Sequence, residues 1–264
     1  MTADTTTISS AARPRTTTPK PATVLDAVAS EWIKIRTHRG VLLALLIGIA
    51  VTVLAGANNS SANARNIRGG GDAPGDLTSI TQFGMHFGVI AFAVAGALAM
   101  TSEYSSGMIR TSLTAVPSRG RLLTAKATAF TAVALVAGLI ASAASLAIGS
   151  SILSGAGAHL SPGDPGVLRA VVGGGLFLAT SGLLALGLGA LLRNPVATVG
   201  GIFALWALPM VLGSAPGEGV APFEAGSAVT LADGASAWNG YLTLLAWTAA
   251  LAAGAYAGLK RRDA

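Results

Sequence analysis

Few side chains in this 264-residue chain could do covalent or metal chemistry, and their spacing suits none of it. There is no cysteine, which excludes disulfide scaffolds, thiolate metal sites and cysteine nucleophiles. The histidines, His38, His86 and His159, lie far apart, and no HExxH or similar ligand spacing occurs, so no metal site is expected. No GxxxxGK[ST] run exists to cradle the phosphates of a nucleotide. Gly69-Gly70-Gly71-Asp72 has the GxGD spelling of an intramembrane aspartyl protease. It sits in a hydrophilic Pro/Gly stretch with no intramembrane aspartate to pair with, and reads as a turn. No constellation for catalysis remains.

One stretch has an informative pattern, Thr101–Lys126, TSEYSSGMIRTSLTAVPSRGRLLTAK. Met108, Ile109, Leu113 and Val116 can line one side of a short helix, with Arg110 on its surface and Pro117 ending it. Glu103 precedes this segment, and Arg119, Arg121 and Lys126 follow it. An apolar stripe flanked by charge fits a docking element for a soluble partner. A helix lying on lipid with basic anchors is the alternative.

The elements that must position this stretch follow from composition. Charged residues are 11% of the chain, less than half the ~25% of soluble domains, while hydrophobic residues are 52%. Six windows carry no charge: Gly40–Ala64, Leu77–Ser102, Ala127–Gly163, Ala170–Leu192, Asn194–Gly217 and Gly234–Leu259. Each reaches the ~20 residues that cross a bilayer core. The expectation is an all-α integral membrane protein with spans near 40–57, 83–100, 127–151, 170–192, 196–213 and 238–259. His86 is then the one ionisable side chain inside a span, an interfacial histidine near its end. Gly84-x-x-x-Gly88, Gly173-Gly174-Gly175, Gly187-x-Gly189 and Gly254-x-x-x-Gly258 offer small-residue faces for close helix packing. Arg193-Asn194-Pro195 should form a tight hairpin, and Pro209 should kink the fifth span.

Residues 1–22 are rich in Thr, Pro and Arg, lack the apolar core of a signal peptide, and read as a disordered cytoplasmic tail. Residues 23–39 read as an amphipathic helix, with Val24, Leu25, Val28, Trp32 and Ile35 on one face and Asp26, Ser30 and Lys34 on another. Since Gly40 opens a span at once, this helix suits the membrane surface, anchored by Trp32, Lys34, Arg36 and Arg39. A short helix packed on protein is the alternative. Fourteen of the 17 lysines and arginines fall on one side of the six-span plan. Positive residues stay cytoplasmic, so both termini are expected inside, as is the basic C-terminus 260–264. The same bias explains a net charge of +6 without nucleic acid.

SEWIKIRTHRG before the first span, SEYSSGMIRTSLTAVPSRGRLLTAKA after the second and LLRNPVATVGGIFALW across the fourth and fifth together resemble the permease subunits of ABC-2-type ABC transporters. The resemblance covers most of residues 28–262 and includes the six-span plan. It implies a coupling helix that sits in a cleft of an ATPase subunit. Carried over, that role falls to Glu103, Gly107, Met108, Ile109, Arg110 and Thr111, and the re-entry into the third span to Pro117, Arg119 and Arg121. It also implies ATP and Mg on the partner rather than on this chain, a second permease copy or a related permease, and export of a hydrophobic or amphipathic substrate. The large extracellular domain of some family members is missing. A non-transporting six-span sensor or scaffold is the rival reading.

Overall fold

The computed structural model describes residues 23–105, 119–212, 222–230 and 234–261, and every regular element among them is helical. In chain order these are α1 (Val24–Thr37), α2 (Arg39–Arg68), α3 (Leu77–Gln82), α4 (Met85–Ser105), α5 (Arg119–Ser154), α6 (Val167–Leu192), α7 (Pro195–Leu212), α8 (Pro222–Ser227), a 3₁₀ turn (Ala228–Thr230) and α9 (Gly234–Arg261).

Among the described residues, five helical stretches are long and apolar enough to cross a membrane: Arg39–Arg68, Leu77–Tyr104, Gly120–Ser154, Val167–Leu192 and Trp238–Gly258. The remaining expected span, the fifth, corresponds to α7, whose described apolar part, Pro195–Ala207, is shorter. Several helices outrun the charge-free windows. Helix α2 continues beyond Ala64 to Arg68, and α5 begins at Arg119, before Ala127.

Helix α6 is the centre of the bundle, with α4, α5 and α9 packed around it. Buried residues make up 72% of its apolar window, against 22% for α9, which therefore lies at the periphery. Small residues allow this: Gly173, Gly174, Gly175, Gly182, Gly187 and Gly189 are all buried on α6. Phe92, Phe130, Phe177, Leu178, Leu184 and Ile202 fill the core between helices. Leu43, Leu46, Leu54, Val136 and Ile140 face outward, as a lipid-contacting surface requires.

The short α3 is tucked against α2 and α5. Its last carbonyls would be orphaned by the turn at Phe83–Gly84. Neighbouring side chains satisfy them: Asn59 Nδ2 donates to the Ile80 carbonyl (3.1 Å) and Ser145 Oγ to that of Thr81 (2.6 Å). Gln82 donates in return to the Ser142 carbonyl (3.3 Å). Where α2 ends, Gly69 caps it and Gly70 takes φ +90°, so the GxGD stretch is a turn. Between α6 and α7, Arg193 adopts φ 53° and Asn194 Oδ1 accepts the Ala197 N–H (3.1 Å), giving the expected tight hairpin.

Candidate functional site

Helix α1 begins at a reciprocal cap. Thr23 Oγ1 accepts the Asp26 N–H (3.2 Å), and Asp26 Oδ2 accepts the Thr23 N–H (2.9 Å). Hydrogen bonds from the Thr23 side chain and backbone hold the Asp26 carboxyl below its ordinary pKa. The helix stops at His38, which leaves helical geometry (φ −80°, ψ 94°) and caps the next helix, its Nδ1 accepting the Val41 N–H (3.1 Å). One histidine thus forms the elbow between α1 and the first span.

The face that α1 turns inward is not the one its hydrophobic pattern indicates. Ala27, Glu31 and Ile35 are buried, and Val28 is partly buried beside Ala27 and Ala125. Val24, Leu25, Trp32 and Ile33 are exposed. The reason is electrostatic. Glu31 is fully buried and lies against α5, where Lys126, 3% exposed, donates to its Oε2 (2.5 Å). Lys126 donates also to Oε1 of Glu103, itself 5% exposed at the end of α4 (2.8 Å). Lys34 completes the cluster with bonds to Glu31 Oε1 (2.6 Å) and Glu103 Oε1 (3.0 Å).

Two carboxylates and two ammoniums thereby neutralise one another away from water. Each buried charge would be prohibitive alone, and pairing with short, charge-assisted bonds makes the burial tolerable. At Lys34, burial alone would lower the pKa, but hydrogen bonds and charge attraction from Glu31 and Glu103 outweigh it, so the ammonium is held above its ordinary value.

The cluster's place in the chain gives it meaning. Glu103 and Lys126 bracket residues 106–118, one on the helix leading into that segment and one on the helix leading out. Glu31 and Lys34 tie both to α1. The cluster therefore joins the two helices that flank the segment to a third.

Of the coupling residues expected from sequence, Glu103 belongs to this cluster and Arg121 is exposed on the first turns of α5. Arg119 opens α5. Gly107, Met108, Ile109, Arg110, Thr111 and Pro117 lie outside the described residues. Among the expected lipid anchors, Trp32, Arg36 and Arg39 are exposed, and the Arg36 guanidinium stands 6.0 Å from the Trp32 ring centroid. Lys34 differs: its ammonium is directed at Glu31 and Glu103 rather than away from the protein. Glu103 and Lys126 fall just outside the expected spans 83–100 and 127–151, but the helices that carry those spans run on far enough to include them. Glu103 lies within the crossing stretch Leu77–Tyr104 and Lys126 within Gly120–Ser154. Each is compensated by the other, which is why the helices accept them. Glu31 and Lys126 had no assigned role in the sequence. Their only signal was position, acid and base at the borders of apolar runs and equal in number.

Near the opposite end of α4, His86 is exposed, and Trp206 of α7 donates to its carbonyl (2.9 Å). On the cluster's side, Arg193 lies 5.4 Å from the Tyr104 ring centroid, joining the α6–α7 hairpin to the end of α4.

A bundle of helices long and apolar enough to cross a membrane, with a buried charge cluster at one end, defines a multi-pass membrane protein. The family model described as ABC-2 family transporter protein matches residues 27–208, and the chain belongs to that family, as a permease. The match takes in α1 from Ala27 onward, the whole cluster and both helices beside residues 106–118. Permeases of this kind work with ATPase partner subunits. No curated protein matches the chain significantly.

Proposed function

We propose that this chain is the membrane-spanning half of an ATP-driven exporter of hydrophobic or amphipathic molecules, moved by a separate ATPase subunit that docks on residues 106–118. The observation that carries the reading is the cluster of Glu31, Lys34, Glu103 and Lys126, which fixes both ends of that segment to α1. A docked subunit that pulls on the segment moves α4, α5 and α1 as one body, and α6 is packed against both α4 and α5. In this reading α1 lies at the cytoplasmic membrane surface with Leu25, Trp32 and Ile33 toward lipid, α7 completes a sixth span, both termini are cytoplasmic, and two permease copies or related permeases form the pathway.

The docking step has a direct test. If Met108 and Ile109 enter a cleft of the ATPase, an aspartate at Ile109 places an unpaired charge there, at a cost of several kcal/mol. Ile109→Asp is expected to abolish co-purification of the ATPase and transport while the permease still inserts at normal levels. Arg110→Ala, at the rim, should lose about 1 kcal/mol or less of association. Full retention of the ATPase by Ile109→Asp would refute docking at this segment and favour a lipid-lying loop.

Topology gives an independent check. Reporters inserted at Asp72 and Glu218 should read external, and those after Gly107 and Arg262 cytoplasmic. An external reading at either of the latter two overturns the six-span plan.

A further inference from the structure

Beside the charge cluster, at the corner between α1, α2 and α4, lies a cavity of about 350 Å³. That is within the ordinary range for small-ligand sites, roughly 300–1,000 Å³. Its wall is of two kinds. Ile35, Val41 and Ala99 supply apolar surface, and Lys34, Thr37, His38, Ser102, Glu103 and Lys126 supply polar groups.

Two of those groups have bonding capacity left unused among the described residues. Glu103 accepts both lysines through Oε1 alone. Its Oε2 is buried and finds no hydrogen-bond partner. A buried carboxylate oxygen without a donor is rare and calls for an explanation. Glu103 lines the cavity and the terminal torsion of glutamate is broad, so a ligand donor there can draw Oε2 toward it as the carboxyl turns, with the flexible lysine stems following Oε1. The second group is His38. Since Nδ1 accepts the Val41 N–H, the neutral ring carries its proton on Nε2, a donor without a bond among the described residues.

The wall therefore offers a carboxylate oxygen short of a donor and an imidazole N–H, with the Lys34 ammonium among the lining groups. A ligand that fits carries a charged N–H donor and an anion a few ångströms apart. The corner is also where the first span starts at Arg39, and Leu43, Leu46 and Ile47 give exposed apolar surface on the following turns of α2. We propose that this cavity binds the headgroup of a phospholipid with a primary ammonium, of the phosphatidylethanolamine class. The ammonium meets Glu103 Oε2, and the phosphate lies beside Lys34 and the Nε2–H of His38. Choline, with three methyl groups on nitrogen, has no N–H to give Glu103 and is excluded by the same chemistry. The proposal is independent of whether an ATPase docks on residues 106–118.

The test uses the full-length permease in nanodiscs or detergent, with native mass spectrometry to count retained lipid. The probes are one acyl composition carrying ethanolamine, N-methyl-, N,N-dimethyl-ethanolamine or choline, and soluble phosphoethanolamine as competitor. Retention is expected to fall at least tenfold from ethanolamine to choline, with the competitor displacing lipid only at far higher concentration. Ala99→Leu fills the cavity without touching a charge and should abolish the ethanolamine preference while leaving thermal unfolding nearly unchanged. Equal retention of the ethanolamine and choline lipids overturns the proposal, as does a preference that survives Ala99→Leu in a folded protein. Tight binding of soluble phosphoethanolamine without lipid discrimination overturns the lipid as the source. Should Ala99→Leu fail to fold, the methylation series on the unaltered chain decides the matter.

Discussion

Lys126→Met is expected to destabilise the protein by about 3–5 kcal/mol, the cost of breaking a buried ion pair and leaving charge behind. The arithmetic of the site leads there. Lys126 is 3% exposed and bonds both carboxylates. Its loss leaves Glu31 and Glu103 facing each other with Lys34 as the remaining ammonium of the cluster, and Glu31 has no exposed surface through which water could help. A loss of that size is a large part of the 5–15 kcal/mol that holds a typical domain folded. Denaturant or thermal unfolding in detergent should show it, along with low yield.

Two companion variants separate charge balance from simple packing. Lys34→Met removes the same charge, but the Lys34 side chain is 29% exposed, so water can replace part of what is lost and the damage should be clearly smaller. The double variant Lys126→Met with Glu31→Gln restores neutrality, leaving Lys34 paired with Glu103 at 3.0 Å. It should be more stable than Lys126→Met alone, with a coupling energy of about 1–3 kcal/mol between the two positions. A double variant no better than the single one would mean that Lys126 acts by filling space.

The sequence made the broad plan legible because membrane insertion depends on properties summed over ~20 residues, and long charge-free windows report such sums well. Local chemistry was legible too where one residue decides it, as at Arg193-Asn194-Pro195 and at the glycines after Arg68. The orientation of α1 was not. Its apolar residues mark one face, whereas its inward face is centred on Glu31, a residue whose partner lies 95 positions away. Nothing local to residues 23–39 encodes that pairing. For the same reason Lys34 could be read as a lipid anchor, since its partner Glu103 is 69 positions distant.

Close helix contacts were half legible, and the strongest was missed. Gly84 and Gly88 do let α4 approach α2, where a Cβ would stand 1.8 Å from the Thr52 carbonyl oxygen and 1.9 Å from the Thr52 hydroxyl. In contrast, a Cβ on Gly254 would find ordinary contact with Leu191 at 3.5 Å, and Gly258 has open space. Spacing alone cannot tell these cases apart, because it names a face without naming what faces it. The α4–α6 contact escaped notice since it uses one glycine from each helix, Gly96 and Gly182, rather than a repeat within one.

Gly96→Ala is expected to be among the most damaging single-methyl changes in the chain. The added Cβ would lie 1.9 Å from the Gly182 carbonyl oxygen and 2.7 Å from its carbonyl carbon. Real Cβ atoms do not approach other heavy atoms within 3.0 Å, so something must shift by more than an ångström. A flexible side chain could swing aside, but both atoms here are backbone of a helix at the bundle centre. The two helices must part along their length. Phe92 of α4 and Leu178 and Ala185 of α6, all buried at or below 1% exposure, would then lose contact together. Overpacking usually costs about 1–3 kcal/mol, and a clash with no soft partner belongs at or above the top of that range. Gly96→Val should yield no folded protein. Gly200→Ala is the control, because its Cβ meets nothing within 4 Å, and the better helix propensity of alanine should make it neutral or slightly stabilising, by up to ~1 kcal/mol. Unfolding measurements on the three variants in detergent settle the question, and a Gly96→Ala protein as stable as Gly200→Ala would refute the backbone contact between α4 and α6.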